Sequence, residues 1–309
     1  MDRFGSLREK LLTALPRLEL RQQEPMSRHT SFKVGGPAAL MACPGSMEEL
    51  SVILKLAGEE GIRPFFLGKG SNLLVSDRGV DEFVIKIAGG ITELRLEGET
   101  TLYVGAGVTL AQAANFAADH GLTGLEFAHG IPGTMGGGLF MNAGAYDGEL
   151  VQVVRSADCL DERGECRGLE KDQLELGYRH SVFARLPWLI TGVRLELRRG
   201  EQAEIRAKMA DLAQRRRDKQ PLEYPSAGST FKRPEGHFAG GLIEQCGLKG
   251  TAVGGAQVSE KHAGFLINRG NATCQDILDL IRLVRKTVME QTGVKLEPEV
   301  RTLGVRVDD

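Results

Sequence analysis

HGIPGTMGGGLFMNAGAYDGE, residues 129–149, holds seven glycines in 21 positions, with Thr134, Asn142 and Tyr146 among them. Glycine loses more backbone freedom on folding than any other residue, so an ordinary loop avoids such density. The pattern points to a backbone that lets a large flat or phosphorylated ligand approach closely. A second glycine loop, LGKGSNLLVSD (residues 67–77), follows a predicted strand and can wrap successive N–H groups around an anion. It is not a Walker A loop, because Arg63 stands where that motif needs glycine. Gly105-Ala106-Gly107 mimics a dinucleotide fingerprint, but Leu110 occupies the third glycine position, so it reads as a structural turn. Two cradles without a kinase-type lysine motif suit a dinucleotide better than a nucleoside triphosphate.

The 309 residues exceed the usual size of one core, so two or three domains are expected, with the boundary near Gly200. Lysine plus arginine (39) nearly balances aspartate plus glutamate (41), and this near-neutrality favours a small-molecule partner over nucleic acid or membrane. The five cysteines are scattered, which supports neither a disulfide framework nor a zinc cluster and suits a reducing cytoplasm. The charged N-terminus shows neither signal peptide nor membrane span.

Around the glycine loops the chain reads as mixed α and β with strands in the majority. AALMACPG, PFFLG, FVIKI, ELRLEG and TLYVGAG are strands, and strand patterns return from Val151 to Leu197. SMEELSVILKLAGEEG is a helix capped by Ser46, with Glu49 completing a capping box, and LAQAANFAADHG is a helix ended by Gly121. EQAEIRAKMADLAQRRRDKQP is a charged amphipathic helix stopped by Pro221. In TCQDILDLIRLVRKTVMEQTG, Thr273 caps the helix, Ile277, Leu280, Ile281, Val284 and Val288 form its core stripe, and Gly293 ends it.

Seven motifs then occur in order: GKGSNLLV, GIPGTMGGGLFMNAGAY, YRHSVF, SAGSTFKRP, GLIEQCGLKG, GGAQVSEKHAGFLIN and LEPEV. From about Arg28 to Gly304 the chain thereby resembles the UDP-N-acetylenolpyruvoylglucosamine reductases. The resemblance implies an α+β fold: an N-terminal extension (1–27), an FAD-binding portion of two α+β subdomains (28–200) of the type shared with vanillyl-alcohol and p-cresol oxidoreductases (PCMH/VAO type), and a smaller α+β substrate-binding domain (201–309). It implies non-covalent FAD, NADPH as reductant, no metal, no obligate protein partner, and reduction of a nucleotide-sugar enolpyruvyl ether to UDP-N-acetylmuramate in peptidoglycan synthesis. Some fifty residues separate Arg179 from Ser229 and read mostly as strand and helix, so the shorter family form, lacking an extra tyrosine-bearing loop, is expected.

Carried over motif by motif, the flavin would meet Gly68, Lys69, Gly70, Ser71, Asn72 and Leu73, and then Gly133, Thr134, Gly136, Gly137, Asn142, Gly144 and Ala145, largely through backbone amides. Hydride addition to an enolpyruvyl double bond builds negative charge beside the carboxylate and then needs a proton. The resemblance assigns Arg179 as the fixed cation, Glu299 as an assisting acid and Ser229 as proton donor. From residues alone, Tyr178-Arg179 and Glu299 read equally well as surface features. Ser229 as a hydrolase nucleophile lacks the G-x-S-x-G elbow. It is presented by a turn between Pro225 and Pro234, with Lys232 as a nearby cation. Tyr178, Lys219, Lys232, Arg233, Gln245, Lys261 and His262 are the substrate-binding candidates. Arg233 departs from the family pattern, which often has asparagine there, as does His129, where smaller residues are common.

Overall fold

In the computed structural model, which describes residues 3–308, Leu7 and Leu11 lie one turn apart on helix α1 (Gly5–Ala14) and are fully buried. Residues 1, 2 and 309, at the ends of the expected extension and C-terminal domain, lie outside the described residues. Helix α2 (Met47–Glu59) buries Leu50, Ile53, Leu54 and Ala57, the stripe that its 3.6-residue period dictates. Its cap differs from the expected box. The Ser46 hydroxyl accepts the Glu49 amide at 3.2 Å, but the Glu49 carboxylate accepts the Gly45 amide at 2.7 Å instead of that of Ser46. Helix α3 (Leu110–Asp119) carries a full capping box between Thr109 and Gln112 and stops at Gly121, which takes a left-handed φ of +64°.

The chain divides into two units, each assembled from several stretches. Unit 1 comprises Met1–Gln22, Leu40–Lys69 and Glu82–Arg215; unit 2 comprises Gln23–Ala39, Gly70–Asp81 and Arg216–Asp309. Neither unit is a single continuous stretch of the chain. In unit 1 an antiparallel five-stranded sheet runs in the order Cys166–Glu170, Val154–Leu160, Leu189–Glu196, Thr101–Gly105, Leu94–Leu96. A four-stranded sheet has the order Glu19–Pro25, Pro37–Cys43, Val80–Lys86, Phe65–Leu67. The short helix α4 (Met135–Phe140) lies inside the opening glycine stretch. Helix α5 (Gln202–Lys219) buries only Ile205 and Met209, so its expected apolar face is two residues wide and most of it is solvated.

Unit 2 has α6 (Ala239–Gln245), α7 (Cys274–Thr292) and an antiparallel sheet in the order Ser226–Ser229, Phe265–Asn268, Ala256–Val258, Ala252–Val253. Strand Leu73–Val75 pairs in parallel with Arg301–Leu303. All five stripe residues of α7 are fully buried, in a cluster that includes Phe32, Leu74, Phe231 and Leu296. Each such aliphatic side chain contributes roughly 1.5–3 kcal/mol relative to exposure. The α7 N-terminus is held twice: by Thr273 and Asp276, and by Asp77, whose carboxylate accepts the amides of Cys274 and Gln275 at 2.9 and 3.2 Å. No helix among the described residues is long and apolar enough to cross a membrane.

Candidate active site

In unit 1 the stretch around α4 works less as an amide cradle than its glycines suggest. Met135 and Gly136 donate their amides to Val108 and Ala106, at 2.8 and 3.0 Å, and the Gly133 carbonyl accepts the Leu110 amide. The amide of Gly137 points to the Thr134 hydroxyl at 3.4 Å. A side chain on Gly136 would press on Ala106, and one on Gly138 on Leu110 and Leu150, so these two glycines serve close packing. Gly137 is exposed and open. Thr134 is buried, and its hydroxyl lies where a side chain on Gly68 would go, 2.7 Å away.

Asn142 is 1% exposed and sits at a left-handed φ of +42°. Its Nδ2 donates to the Gly177 carbonyl at 3.0 Å and to Glu149 Oε2 at 3.2 Å, while its Oδ1 accepts the Val151 amide at 2.9 Å. Its polar atoms are thus committed within the protein. Among them the bond to Gly177 holds the turn Gly177–His180 to the glycine loop. On that turn Arg179 also takes a left-handed φ, +54°, reaches the Gly144 carbonyl through Nη2 at 3.5 Å, and lies 4.9 Å from the Tyr178 ring centre. Gly144 and Ala145 pair with Glu149 and Gly148, and a side chain on Gly144 would strike Glu149.

The loop GKGSN carries the open donors. Among the described residues, none of the backbone amides of Gly68, Lys69, Gly70, Ser71 and Asn72 donates to a protein acceptor. Gly70 is left-handed (φ +60°), and any side chain there would collide with the His29 carbonyl, so glycine is required. Its own carbonyl accepts the Ser31 amide at 3.1 Å. The Asn72 Oδ1 is buried and has no hydrogen-bond partner among the described residues. Successive undirected amides and a buried acceptor suit the pyrophosphate and the polar groups of a flavin dinucleotide, so these residues fit FAD. Leu73 differs: it is buried as the first residue of its strand, a core position.

Ser229 and Glu299 come together in unit 2. The strand Ser226–Ser229 pairs Ser226 with Ile267 and Ser229 with Phe265, so an extra residue bulges between them, and Gly228 there is left-handed at +77°. The expected proline-flanked turn is thus a bulged strand end, and Ser229 emerges from it exposed. The next residue, Thr230, is fully buried; its carbonyl accepts the Glu299 amide at 2.8 Å, and its hydroxyl accepts the Leu266 amide at 3.2 Å. Thr230 escaped the sequence reading, although it stands inside SAGST. Glu299 is half-buried, while Glu297 is exposed and lies 3.4 Å from Lys232 Nζ, so Lys232 is directed to Glu297.

The remaining candidates are dispersed over unit 2. Arg233 stacks 4.0 Å from the exposed Phe238 ring, Gln245 ends α6 in solvent, and Lys261 donates to the Arg217 carbonyl at 2.7 Å. His262 is a loop brace. Its Nδ1 accepts the Gly264 amide at 3.1 Å, its amide donates to the buried Ser259 hydroxyl, and burial lowers its pKa, with the charges of Lys249 and Lys219 adding to the effect. Among the described residues no group of three His, Cys, Asp or Glu is placed to hold a metal ion.

Residues 38–170 match the family described as FAD binding domain, and residues 220–303 that described as UDP-N-acetylenolpyruvoylglucosamine reductase, C-terminal domain. Together with the amide-lined loop, these define a flavin-binding α+β oxidoreductase. The chain is 48% identical over 296 residues to the UDP-N-acetylenolpyruvoylglucosamine reductase of Caldanaerobacter subterraneus subsp. tengcongensis, covering 96% of this chain and 97% of that one. It is 49% identical over 280 residues to that of Clostridium perfringens, covering 91% of each. The crystal structure of the Thermus caldophilus reductase aligns with a TM-score of 0.79 at 36% identity, covering 93% of this chain and 99% of that one. The chain belongs to the UDP-N-acetylenolpyruvoylglucosamine reductase family.

Proposed function

We propose that the chain reduces UDP-N-acetylglucosamine enolpyruvate to UDP-N-acetylmuramate at the expense of NADPH, with Arg179, Ser229 and Glu299 as its catalytic residues. Bound FAD supplies the hydride chemistry. The open amides from Gly68 to Asn72 hold the cofactor's anionic part. Arg179 presents a planar fork that matches a carboxylate and stabilises the enolate-like charge that builds next to it. Glu299 assists, and Ser229 delivers the proton that completes the saturated lactyl group. A serine hydroxyl is a weak acid, so the role requires the strongly basic carbon of an enolate. The observation that supports the reading is the hydrogen bond from the Glu299 amide to the carbonyl of Thr230, the residue that follows Ser229.

Tyr178, Lys219, Lys232, Arg233, Gln245 and Lys261 are proposed to contact the nucleotide sugar. His262 shapes the loop that carries Lys261. The same reading places the enzyme in the cytoplasm, in keeping with five cysteines scattered along the chain. It makes 28–200 the cofactor-binding and 201–309 the substrate-binding part of a short-form enzyme that needs no protein partner.

The two half-reactions provide the test. Ser229→Ala is expected to reduce its flavin with NADPH within about twofold of the wild-type rate and to reoxidise it with the enolpyruvyl substrate about 10²–10⁴-fold more slowly, the usual contribution of a general acid. Full substrate reduction by Ser229→Ala would remove Ser229 from the mechanism, and a purified protein that cannot take up FAD would remove the reaction.

A further inference from the structure

Asn72 makes two hydrogen bonds to the segment that carries Glu299. Its Nδ2 donates to the Glu299 carbonyl at 3.1 Å, and its own backbone carbonyl accepts the Arg301 amide at 3.1 Å. The Glu299 amide is bonded to Thr230, the residue after Ser229. A hydrogen-bonded path of backbone and one side chain therefore runs from the GKGSN loop through Glu299 to Ser229.

The Glu299 carbonyl also settles which way the Asn72 amide faces. Flipping it would set Oδ1 against another oxygen acceptor, so Nδ2 takes that place and Oδ1 faces away. There Oδ1 is buried and accepts nothing from the described residues. A buried acceptor without a donor is costly and rare in a native fold, and it is retained where a ligand supplies the donor. The undirected amides of Gly68 to Asn72 place that ligand at the same loop.

We propose that Asn72 is a positioning residue that ties flavin binding to the seating of Glu299: its Oδ1 accepts a hydrogen bond from an N–H or O–H of the bound flavin nucleotide, and its Nδ2 holds residue 299 at the height of Ser229. This rests on the reading above, in which FAD occupies the loop and Glu299 acts in substrate reduction. The bound cofactor orders the side-chain amide, and the amide orders the acid. NADPH oxidation does not use Glu299 and is insulated from this path.

A double-mutant cycle with Asn72→Ala and Glu299→Gln tests both ends of the amide. Titration of FAD into apoprotein, followed by flavin fluorescence, is expected to give Asn72→Ala a dissociation constant about tenfold above wild type, with a smaller FAD-induced rise in Tm. At saturating FAD, its reoxidation by the enolpyruvyl substrate slows at least tenfold more than its reduction by NADPH. In the Glu299→Gln background, adding Asn72→Ala raises the FAD dissociation constant as before but slows reoxidation no further, because the amide acts through Glu299. A general folding defect would instead slow both half-reactions and add to the Glu299→Gln effect, which overturns the proposal. So would an unchanged FAD affinity. If Glu299→Gln alone reoxidises at the wild-type rate, the role of Glu299 falls and the positioning with it, whereas a slow Glu299→Gln beside a normal Asn72→Ala defeats only the role of Asn72. Should Asn72→Ala fail to fold, Asn72→Ser, which keeps a shorter donor and acceptor, is expected to show the same pattern at smaller size.

Discussion

His262 shows how a polar residue in a family motif can serve the fold. Its ring accepts the Gly264 amide through Nδ1, which a protonated imidazole cannot do, and burial lowers its pKa from the ordinary 6.5. A depressed folded-state pKa means that the unfolded chain binds the proton more tightly. The stability contribution is therefore complete above about pH 6.5 and is lost as pH falls through the lower folded value. Thermal unfolding of wild type is expected to lose midpoint on acidification from pH 6.5 to 5, and His262→Gln, whose amide oxygen can still accept from Gly264, to lose less over that range. Equal slopes for the two proteins would show that His262 does not titrate with unfolding. Asn142 makes the same point in unit 1: its Nδ2 donates to the Gly177 carbonyl, on the turn that carries Arg179, and to Glu149, while its Oδ1 accepts the Val151 amide, so its side chain ties that turn to the segment after the glycine loop.

The bulge in Ser226–Ser229 sets the course of the strand just before Ser229, the proposed proton donor. Regular pairing with Phe265–Asn268 would alternate side chains strictly, and the extra residue re-aims the strand just before Ser229. Gly228 makes this possible at φ +77°; a β-carbon there would meet nothing within 4 Å, so the cost of substitution is conformational and not steric. Gly228→Ala is expected to destabilise the protein by about 1–2 kcal/mol, the penalty of an L-residue in the left-handed region. It should also slow flavin reoxidation by substrate about tenfold to a hundredfold through displacement of Ser229, leaving flavin reduction by NADPH near wild type. Denaturant titration and stopped-flow absorbance check the two parts. An unchanged reoxidation rate in a destabilised variant would mean that the bulge serves folding alone.

The division of the molecule into units cuts across the order of the chain. Unit 2 needs Phe32 and Val34 from one stretch and Leu74 from another to close the core around α7, and Asp77 to hold the start of that helix. Strand Arg301–Leu303 pairs with Leu73–Val75, more than two hundred residues earlier. A fragment of residues 216–309 therefore exposes part of its core and leaves a strand unpaired. It is expected to show weak amide dispersion by NMR and no cooperative thermal transition; a cooperative transition would mean that the C-terminal stretch folds without those pieces. Legibility followed the reach of the interactions. The α7 stripe, its caps at Thr273 and Gly293, the end of α3 at Gly121 and the alternating strands were readable, because helix period, capping and β alternation act within a few residues. The unit boundary inside α5, the Glu49 bond to Gly45 and the partner of Lys232 were not, since each depends on which of several competing neighbours packing brings close.

By itself the sequence determined the α+β class, the two glycine loops, most elements and, through seven ordered motifs, the family. Those signals are local chemistry repeated in order along the chain. Only the tertiary structure decided which glycines pack and which leave amides open, that Asn142 faces inward, that Ser229 stands on a bulge and that Thr230 and Asn72 both bind Glu299. Hydrogen bonds between residues 72, 230 and 299 link segments far apart in the chain, and no local pattern encodes which donor will meet which acceptor.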